Sequence, residues 1–527
     1  IRQEDSLGNV SELMGVEANG LPIYFSSFNE DAARTIRTNQ VYPGGGFGLN
    51  MTGKYYTIGI WDVGAVRTTH KEFGGRVIYK DTVRTLASHA THVAGTMIAA
   101  GKDPQAKGMA YEANLWAYTW DNDLAEMTTA ASNGLTISNH SYGVYSGWNY
   151  NSDENEWYWN GDTTISETED YFFGYYNDRS KALDQLAFTA KNYLPVFAAG
   201  NDRNGSPPTL NIKHKVLVNG VWVYSTKTRK SDNDYDCITG HGLAKNVLTV
   251  GAVNQVINYS KPSDVIISAF SSWGPTDDGR IKPDIVGDGV GLYSTDIQND
   301  SAYGVKSGTS MASPSVSGSL LLIQNQYNLN TGNFLSSAAL KAVAIHTADE
   351  AGPNTGPDYM FGWGLMNTKK AVDLINNTEG NHQIKNGLLF KNSYVDYQIP
   401  TDGNSGYRIT IVWTDPAGTV SAPSLNSRTP KLVNDLDIRL FDPSDGETHY
   451  PWILDPNNPS FAATKGDNFR DNVEVIDVPY LPASNYVLRV NHKGQLANNQ
   501  SYTLIISKIP IVVPIPEFYA DYESICP

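Results

Sequence analysis

Cysteine is nearly absent from this sequence: only Cys237 and Cys526 occur among its 527 residues, and they fit no metal-binding spacing. Long apolar runs are missing as well, since stretches such as 511–515 fall far short of the ~20 residues that a membrane helix needs. Positive charge is in deficit, with 39 Lys and Arg against 55 Asp and Glu. Such a chain would repel a phosphate backbone. We therefore expect neither a nucleic-acid partner nor a membrane span.

The composition that remains is that of a folded protein. Apolar residues make up 40% and charged residues 18% of the chain, whereas disordered chains carry much charge and few apolar residues. At ~100–200 residues per domain, the length predicts two to four domains. The chain begins with Ile rather than Met, so we expect either a trimmed chain or one from which a signal and a pro-segment have been removed.

Apolar periodicity divides the chain. From residue 55 to about 375, short apolar strands alternate with helical patterns, which predicts an α/β fold with a doubly wound, mainly parallel sheet. Beyond that point, period-two segments such as 407–413 and 486–490 predict an all-β domain. The predicted division is a lead-in packed on the first domain, the α/β domain, a β-sandwich and an extended tail, over 1–50, 51–380, 381–508 and 509–527.

Four polar residues stand at the ends of apolar segments. Asp62 and Asn201 each follow a buried-strand pattern, while His89 and Ser310 each begin a helical one. Taken singly, each has an ordinary explanation as a turn residue or a helix cap. Taken together they indicate a shared site, because doubly wound sheets bind ligands at the carboxyl ends of their strands.

The order of these residues, Asp62, His89, Asn201 and Ser310, resembles that of the subtilisin-like serine proteases, the subtilases. The Gly-Thr-Ser-Met-Ala segment at 308–312 is highly specific for that family, and the resemblance covers about 50–375. The all-β domain, with Leu-Val-Asn-Asp-Leu-Asp at 432–437, looks like the C-terminal jelly-roll domain of the larger secreted bacterial subtilases.

The resemblance implies a secreted serine endopeptidase. Asp62, His89 and Ser310 would form its triad, because a serine hydroxyl is a poor nucleophile until a base accepts its proton. Asn201 and the backbone N–H of Ser310 would donate hydrogen bonds to the oxyanion. Substrates would be proteins and peptides, and we expect a monomer.

The same resemblance implies a primary specificity pocket that takes a large apolar side chain N-terminal to the cleaved bond. Its walls and floor are expected at Ser141, Tyr142, Gly143, Ala198, Ala199, Gly200, Thr239 and Gly240. Extended substrates would pair with the two walls as an added strand.

Two insertions interrupt the α/β domain. Residues 145–170 are acidic and aromatic, which fits either a solvated loop or a substrate-lining rim that favours basic substrates. Within 205–231, two strand-like halves flank Asn219-Gly220, a strong hairpin signal because type I′ turns need positive φ. We predict that this hairpin borders the cleft, although a decorative surface hairpin is the alternative.

One structural ion is expected and no organic cofactor. Asp435 and Asp437 lie two apart on a strand and so face one side; with Asp471 and Glu474 they would offer the oxygen ligands that Ca²⁺ prefers. A polar solvent-facing strand edge is the alternative.

The other histidines and cysteines that could bind a metal or form a bond support no firm prediction. The pair His89 and His92 lacks a third metal ligand nearby, so no metal is predicted there. Cys237 and Cys526 could form a disulfide across the tail or remain free thiols.

Two other functions stay open at this stage. A degenerate protease scaffold could serve as a binding or adhesion protein, and a transpeptidase or peptide ligase would use the same acyl-enzyme. Presence of all four chemical residues favours an active enzyme over a binder. Sequence does not separate hydrolysis from transpeptidation.

Overall fold

The computed structural model describes residues 29–510 except 83–84, 219, 379 and 445, together with the backbone of three short N-terminal strands. The helices are α1 Asn29–Thr35, α2 Ser88–Ile98, α3 Asp123–Ser132, α4 Asp178–Thr189, α5 Thr309–Thr331, α6 Ser337–Thr347 and α7 Thr368–Asn376. The strands before α5 are β1 Arg2–Glu4, β2 Val10–Val16, β3 Pro22–Phe25, β4 Thr57–Asp62, β5 Val77–Tyr79, β6 Asn114–Thr119, β7 Ile137–His140, β8 Trp148–Asn151, β9 Glu156–Trp159, β10 Leu194–Ala198, β11 His214–Val218, β12 Val221–Ser225, β13 Leu248–Val253, β14 Ile285–Asp288, β15 Leu292–Thr295 and β16 Tyr303–Lys306. Those after α7 are β17 His382–Leu389, β18 Val395–Pro400, β19 Ser405–Val412, β20 Asp435–Phe441, β21 Thr448–His449, β22 Trp452–Ile453, β23 Thr464–Lys465, β24 Val473–Leu481, β25 Asn485–Lys493 and β26 Gln500–Pro510.

A seven-stranded parallel sheet forms the centre of the first domain, in the order β14-β13-β10-β7-β4-β6-β5. Its central strands are buried along nearly their whole length, as expected for parallel strands covered by helices on both faces. The predicted α/β fold with a mainly parallel sheet is confirmed.

Helix α5 runs through the middle of this domain and packs on β7, β10, β13 and β14. Its first five turns are almost entirely buried. The small side chains of its Ser, Ala and Gly residues allow that close approach. Helix α2 packs on α5, so the two helices that begin with the candidate histidine and serine are in direct contact.

The two insertions of the α/β domain combine into one four-stranded sheet, in the order β12-β11-β9-β8. The hairpin predicted around Asn219-Gly220 is present as β11 and β12, with φ of 78° at Gly220. Strand β9 pairs in parallel with β11. Trp148, Trp159 and Val216 form a small core beneath this sheet, so residues 145–170 are not merely a solvated loop.

The second domain is all β, as predicted. Two antiparallel sheets, β17-β26-β19-β24 and β18-β25-β20-β21, enclose a core to which both contribute, for example Ile409, Ile438, Leu488 and Leu504. The jelly-roll connectivity and the exact domain limits stay predictions. Helix α7 ends at Asn376 and β17 begins at His382, and the predicted tail from 511 onward lies outside the described residues.

The two domains share a continuous contact surface. Helix α6 packs on β19 and β26, and Val412, Val475 and Ile505 of the β domain belong to the core of the α/β domain. At one edge of this surface the Lys245 ammonium is fully buried and pairs with Asp415. It also donates to the backbone oxygen of Lys431 at 2.8 Å.

Candidate active site

The candidate residues come from four different elements that end at one edge of the parallel sheet. Asp62 is the last residue of β4, one of the inner strands of the sheet, and Asn201 lies three residues beyond the end of β10. His89 and Ser310 occupy the second positions of α2 and α5. Parallel strands place their carboxyl ends, and the amino ends of the helices that follow, on the same side of the sheet.

Asp62 and His89 are in direct contact. Oδ1 of Asp62 lies 2.8 Å from Nδ1 of His89, and the same oxygen accepts the backbone N–H of Val63 at 2.8 Å. Asp62 is only 1% exposed. Burial alone would lower the pKa of His89, but the adjacent Asp62 carboxylate outweighs that effect and raises the pKa above its ordinary value.

Ser310 faces the same cleft as His89. Its hydroxyl donates to the backbone oxygen of Ser141 at 3.2 Å. Among the described residues no hydrogen bond joins the Ser310 hydroxyl to His89. Hydrogen bonds between such groups are often long in free enzymes and tighten when substrate binds.

Asn201 is held so that its amide nitrogen remains available. Its Oδ1 accepts the backbone N–H of Thr309 at 2.8 Å and the Thr309 hydroxyl at 3.0 Å. A Cβ placed on Gly308 would lie 3.4 Å from Asn201 Nδ2 and 3.6 Å from the backbone nitrogen of Ser310. The two nitrogens therefore both lie beside Gly308, whose φ is 155°, with the Asn201 Oδ1 3.7 Å from the same position.

His89, Asn201 and Ser310 line a cleft of about 580 Å³. Seven of the eight residues predicted for the substrate walls line it: Ser141, Tyr142, Gly143, Ala198, Ala199, Gly200 and Thr239. Gly240 does not, because Val144 packs over it, with Cγ2 3.2 Å from the position of a Gly240 Cβ. Gly242 reaches the cleft instead.

Comparison with known proteins bears on the resemblance. The profile of the Subtilase family matches residues 57–364. The chain belongs to the subtilase family. Over 85% of this subtilase, the serine protease/ABC transporter B family protein tagA of Dictyostelium discoideum is 23% identical, and the match spans 29% of that protein. Serine protease AprX of Bacillus subtilis is 27% identical over 53% of the chain and 59% of its own length.

Other matches are more partial. Pyrolysin of Pyrococcus furiosus is 32% identical over 26% of this subtilase and 12% of its own length. The chain thus spans less than two thirds of these curated relatives. Among solved structures, the prenylagaramide maturation protease PagA is 19% identical with a TM-score of 0.41, over 61% of this chain and 93% of that one. Within the described residues, no helix has the length and apolar character to cross a membrane.

The cleft of this subtilase has an aromatic side, built mostly from the insertion for which a substrate-lining rim was one of the two alternatives. Trp148 and Tyr150 of β8, Trp157 of β9 and Trp120 line it. Of the two alternatives for 145–170, the structure thus favours a rim of the cleft. None of the cleft-lining residues comes from the described part of β11 and β12, so the prediction that this hairpin borders the cleft is wrong. Strand β11 instead pairs with β9 on the edge opposite β8.

The acidic residues of the first insertion already have partners. Lys215 of β11 contacts Glu154 at 2.5 Å and Glu156 at 3.0 Å. Glu156 precedes Trp157 on a strand, so the two side chains point to opposite faces. The Glu156 carboxylate accordingly accepts the hydroxyl of Tyr224 from β12, on the side away from the cleft.

Beneath the cleft wall runs a stack of five rings, four from neighbouring strands and one from the short helical turn at 240–243. The rings are those of Tyr118, Trp61, His140, Phe197 and His241, with successive centroids 4.2, 5.2, 4.4 and 5.2 Å apart. Burial lowers the pKa of His140 to about 3, so this ring is neutral. The motif Asn-His-Ser-Tyr-Gly at 139–143 was the available signal for His140, but the stack itself depends on strand order.

The wall residue Tyr142 is anchored to the same layer. Its hydroxyl donates to Asp123 Oδ2 at 3.0 Å, and Arg179 holds that carboxylate at 3.1 Å. Burial opposes ionisation of Asp123, but His241 and Arg179 outweigh it and lower the pKa of the carboxyl. The wall therefore rests on a fixed charged group.

The predicted calcium ligands do not all meet. Asp437 and Glu474 face a group that also contains Asp435, Asp467, Lys493 and Arg439. Asp471 lies apart, since its carboxylate accepts the backbone N–H of Ile281 at 2.8 Å. Within 29–510, apart from the residues left undescribed, no three His, Cys, Asp or Glu side chains form a cluster suited to a metal ion.

The remaining candidates are structural or untested. His92 is buried, and its Nε2 lies 2.9 Å from the backbone oxygen of Leu292. Burial lowers the pKa of His92 to about 3. Cys237 is buried and its Sγ accepts the backbone N–H of Trp273. Cys526 lies outside the described residues, so the disulfide stays a prediction.

Proposed function

We propose that this subtilase is a serine endopeptidase in which Ser310 is the nucleophile, His89 the general base and Asp62 the residue that orients His89. One observation carries the proposal: the Asp62–His89 pair at 2.8 Å opens onto the same cleft as Ser310, beside two hydrogen-bond donors that lie next to Gly308. Acyl transfer requires this set of groups, namely a base, an oriented nucleophile and oxyanion donors.

The chemistry follows from the geometry. Because Asp62 engages Nδ1 of His89, the proton resides on Nδ1 and the lone pair of Nε2 is free to accept the Ser310 proton. The Ser310 oxygen then attacks the carbonyl carbon of the substrate. As the tetrahedral intermediate collapses, the imidazolium gives its proton to the leaving amine and an acyl-enzyme remains. Water, deprotonated by His89, hydrolyses that ester.

Asn201 Nδ2 and the backbone N–H of Ser310 would stabilise the oxyanion. Their separation from a common point beside Gly308 supports this role. Donors fixed before the reaction need no reorganisation when charge develops, which is why such groups contribute strongly to catalysis.

Substrates would bind as extended peptides between the two predicted walls. Ala198 and Ala199 offer a small apolar wall, and Tyr142 a larger one held by Asp123. We propose a preference for a large apolar side chain N-terminal to the cleaved bond, with Trp148 and Trp157 contacting neighbouring substrate residues. Action outside the cell and a monomeric state are part of the proposal.

We also propose a structural calcium ion in the β domain, with fewer of the predicted ligands. Asp435, Asp437, Asp467 and Glu474 outnumber the cations Lys493 and Arg439 that pair with them. Oδ1 of Asp435 and Oε1 of Glu474 have no hydrogen-bond partner among the described residues. Because no three of these side chains form a cluster suited to a metal ion, a bound Ca²⁺ would contact no more than two of them, with backbone oxygens and water as the other ligands, and Asp471 does not belong to the group.

The test is covalent labelling combined with product analysis. A fluorophosphonate should label the wild-type chain and leave Ser310→Ala unlabelled, and only the wild type should cleave a proteome-derived peptide mixture read by mass spectrometry. A folded wild-type chain that neither reacts nor cleaves would support the binding-protein alternative. Products joined to an added amine, in place of hydrolysed ones, would identify a transpeptidase.

A further inference from the structure

Two carboxylates converge behind the floor of the cleft, away from the catalytic residues. Asp236 lies three residues before Thr239, and Asp277 follows the segment that pairs with it. A Cβ placed on Gly174 would lie 2.4 Å from Asp236 Oδ1 and 2.6 Å from Asp277 Oδ1. The two oxygens therefore lie close to each other on the side of Gly174, with φ of 74°, where a Cβ would clash with both, and the backbone nitrogen of Asp277 lies 2.8 Å from the same point.

Neither carboxylate is satisfied there. Asp277 is 2% exposed, and both of its carboxylate oxygens lack a hydrogen-bond partner in the described part of the chain. Oδ1 of Asp236 is buried and lacks one as well. A buried carboxylate without a partner is strongly unfavourable when it is ionised, so this pair requires either protons or a counter-ion.

The nearby cations are engaged elsewhere. Arg428 donates through Nη1 to the backbone oxygen of Asp277 at 2.8 Å and through Nη2 to Pro456. Lys230 pairs with Glu169 at 2.9 Å, and Lys431 donates to the backbone oxygen of Thr419 at 3.2 Å. Positive charge is therefore close but contacts neither of the two carboxylates.

The adjacent residue provides an internal comparison. Asp278 is equally buried, but the Arg280 guanidinium contacts it at 2.9 Å and, against the effect of burial, lowers the pKa of its carboxyl. Asp277 has no such partner, and burial together with the repulsion from Asp236 raises its pKa to about 9. The fold thus provides a counter-ion for one carboxylate and none for its neighbour.

We propose that Asp236 and Asp277 bind a divalent cation of the calcium type beside Gly174. The donors are all oxygen, which favours Ca²⁺ over transition metals. The thiol of Cys237, next to Asp236, is turned to Asp234 and Trp273 and takes no part. With two carboxylates, backbone oxygens and water would complete the coordination. The site depends neither on proteolysis nor on the calcium proposed for the β domain.

The experiment uses the full chain carrying Ser310→Ala, which prevents self-digestion, and Glu474→Gln, which disables the β-domain group. After treatment with chelator, Ca²⁺ binding is measured by calorimetry and Tb³⁺ binding by luminescence excited through Tyr235 and Trp273. We expect one site, a melting temperature raised by several degrees with Ca²⁺, and loss of both on adding Asp277→Asn. Asp402→Asn, at an exposed carboxylate, is the matched control and should change neither.

The most decisive test compares the melting temperatures of the parent and the variant with and without Ca²⁺. In chelator, Asp277→Asn should melt higher than its parent, because the amide removes the cost of ionising a buried carboxyl beside Asp236; with Ca²⁺ the order should reverse. Asp236→Asn should behave alike and replaces Asp277→Asn if that variant does not fold. Undiminished Ca²⁺ binding in both variants, or none in the parent, overturns the proposal.

Discussion

Oδ1 of Asp62 accepts hydrogen bonds from Nδ1 of His89 and from the backbone N–H of Val63, both at 2.8 Å. The second bond fixes the carboxylate to the end of β4, so the direction of the imidazole is set by the sheet itself. A carboxylate bonded only to the imidazole could rotate with it, whereas the bond from Val63 prevents Asp62 from doing so.

Asp62→Asn should therefore lower kcat by about 10⁴-fold, because an amide can stabilise the wrong tautomer of His89. The pH profile supplies a second readout. Only neutral His89 accepts the Ser310 proton, and its pKa is raised by Asp62, so wild-type kcat/KM should fall as pH drops through a value above 6.5. In the variant this limb should move to lower pH, since burial then dominates. An unmoved limb would contradict the assignment.

Asn201→Ala should reduce kcat by about 10²- to 10³-fold, the loss known for a subtilisin that lacks its side-chain oxyanion donor, and leave KM nearly unchanged. The Asn201 amide donates to charge that exists only in the transition state. Steady-state kinetics on a peptide substrate checks this, with fluorophosphonate labelling to show that Ser310 is still reactive. A change confined to KM would assign Asn201 to substrate binding instead.

Neutralising the acidic insertion should not change substrate preference. Glu154→Gln with Glu156→Gln removes charges that Lys215 already balances, so the ratio of kcat/KM for basic and neutral peptides should stay within about twofold. Lys215→Met should raise that ratio by uncovering both carboxylates. Lys227→Met is the matched control, since its partner Glu167 lies outside β9. A peptide library provides the measurement.

Asp415→Leu should destabilise the chain by about 3–5 kcal/mol, because it leaves the buried Lys245 ammonium with only the more distant Asp184 carboxylate, at 4.0 Å. Asp402→Asn, which removes an exposed pair with Lys508, should cost no more than about 1 kcal/mol. Urea unfolding of both variants in the Ser310→Ala background measures the difference. Equal effects would show that Lys245 does not depend on Asp415.

Features that are encoded by neighbouring residues could be predicted from the sequence. The parallel sheet, the all-β second domain and the hairpin at Asn219-Gly220 each follow from short-range periodicity or turn chemistry, and all three are confirmed. The resemblance to subtilases is confirmed too. The positions of Asp62, His89, Asn201 and Ser310 could be predicted because each lies close to the end of a strand or the start of a helix, at the sheet edge where doubly wound folds bind ligands.

Contacts between distant segments were not accessible. Pairing of β9 with β11 joins two insertions that are separated by α4 and β10, and no local pattern encodes it. For that reason the hairpin was assigned to the cleft, whereas β8 and β9 occupy that place. Asp471 failed as a ligand for the same reason, because its partner Ile281 comes from the other domain.

The packing of α6 against β19 and β26 bears on how the chain can be cut. Valines and isoleucines of both domains form one apolar core there. A fragment ending after α7 would therefore expose an apolar surface to water and leave Lys245 without Asp415. We therefore expect the α/β domain expressed alone to aggregate, because its stability depends on packing that the β domain completes.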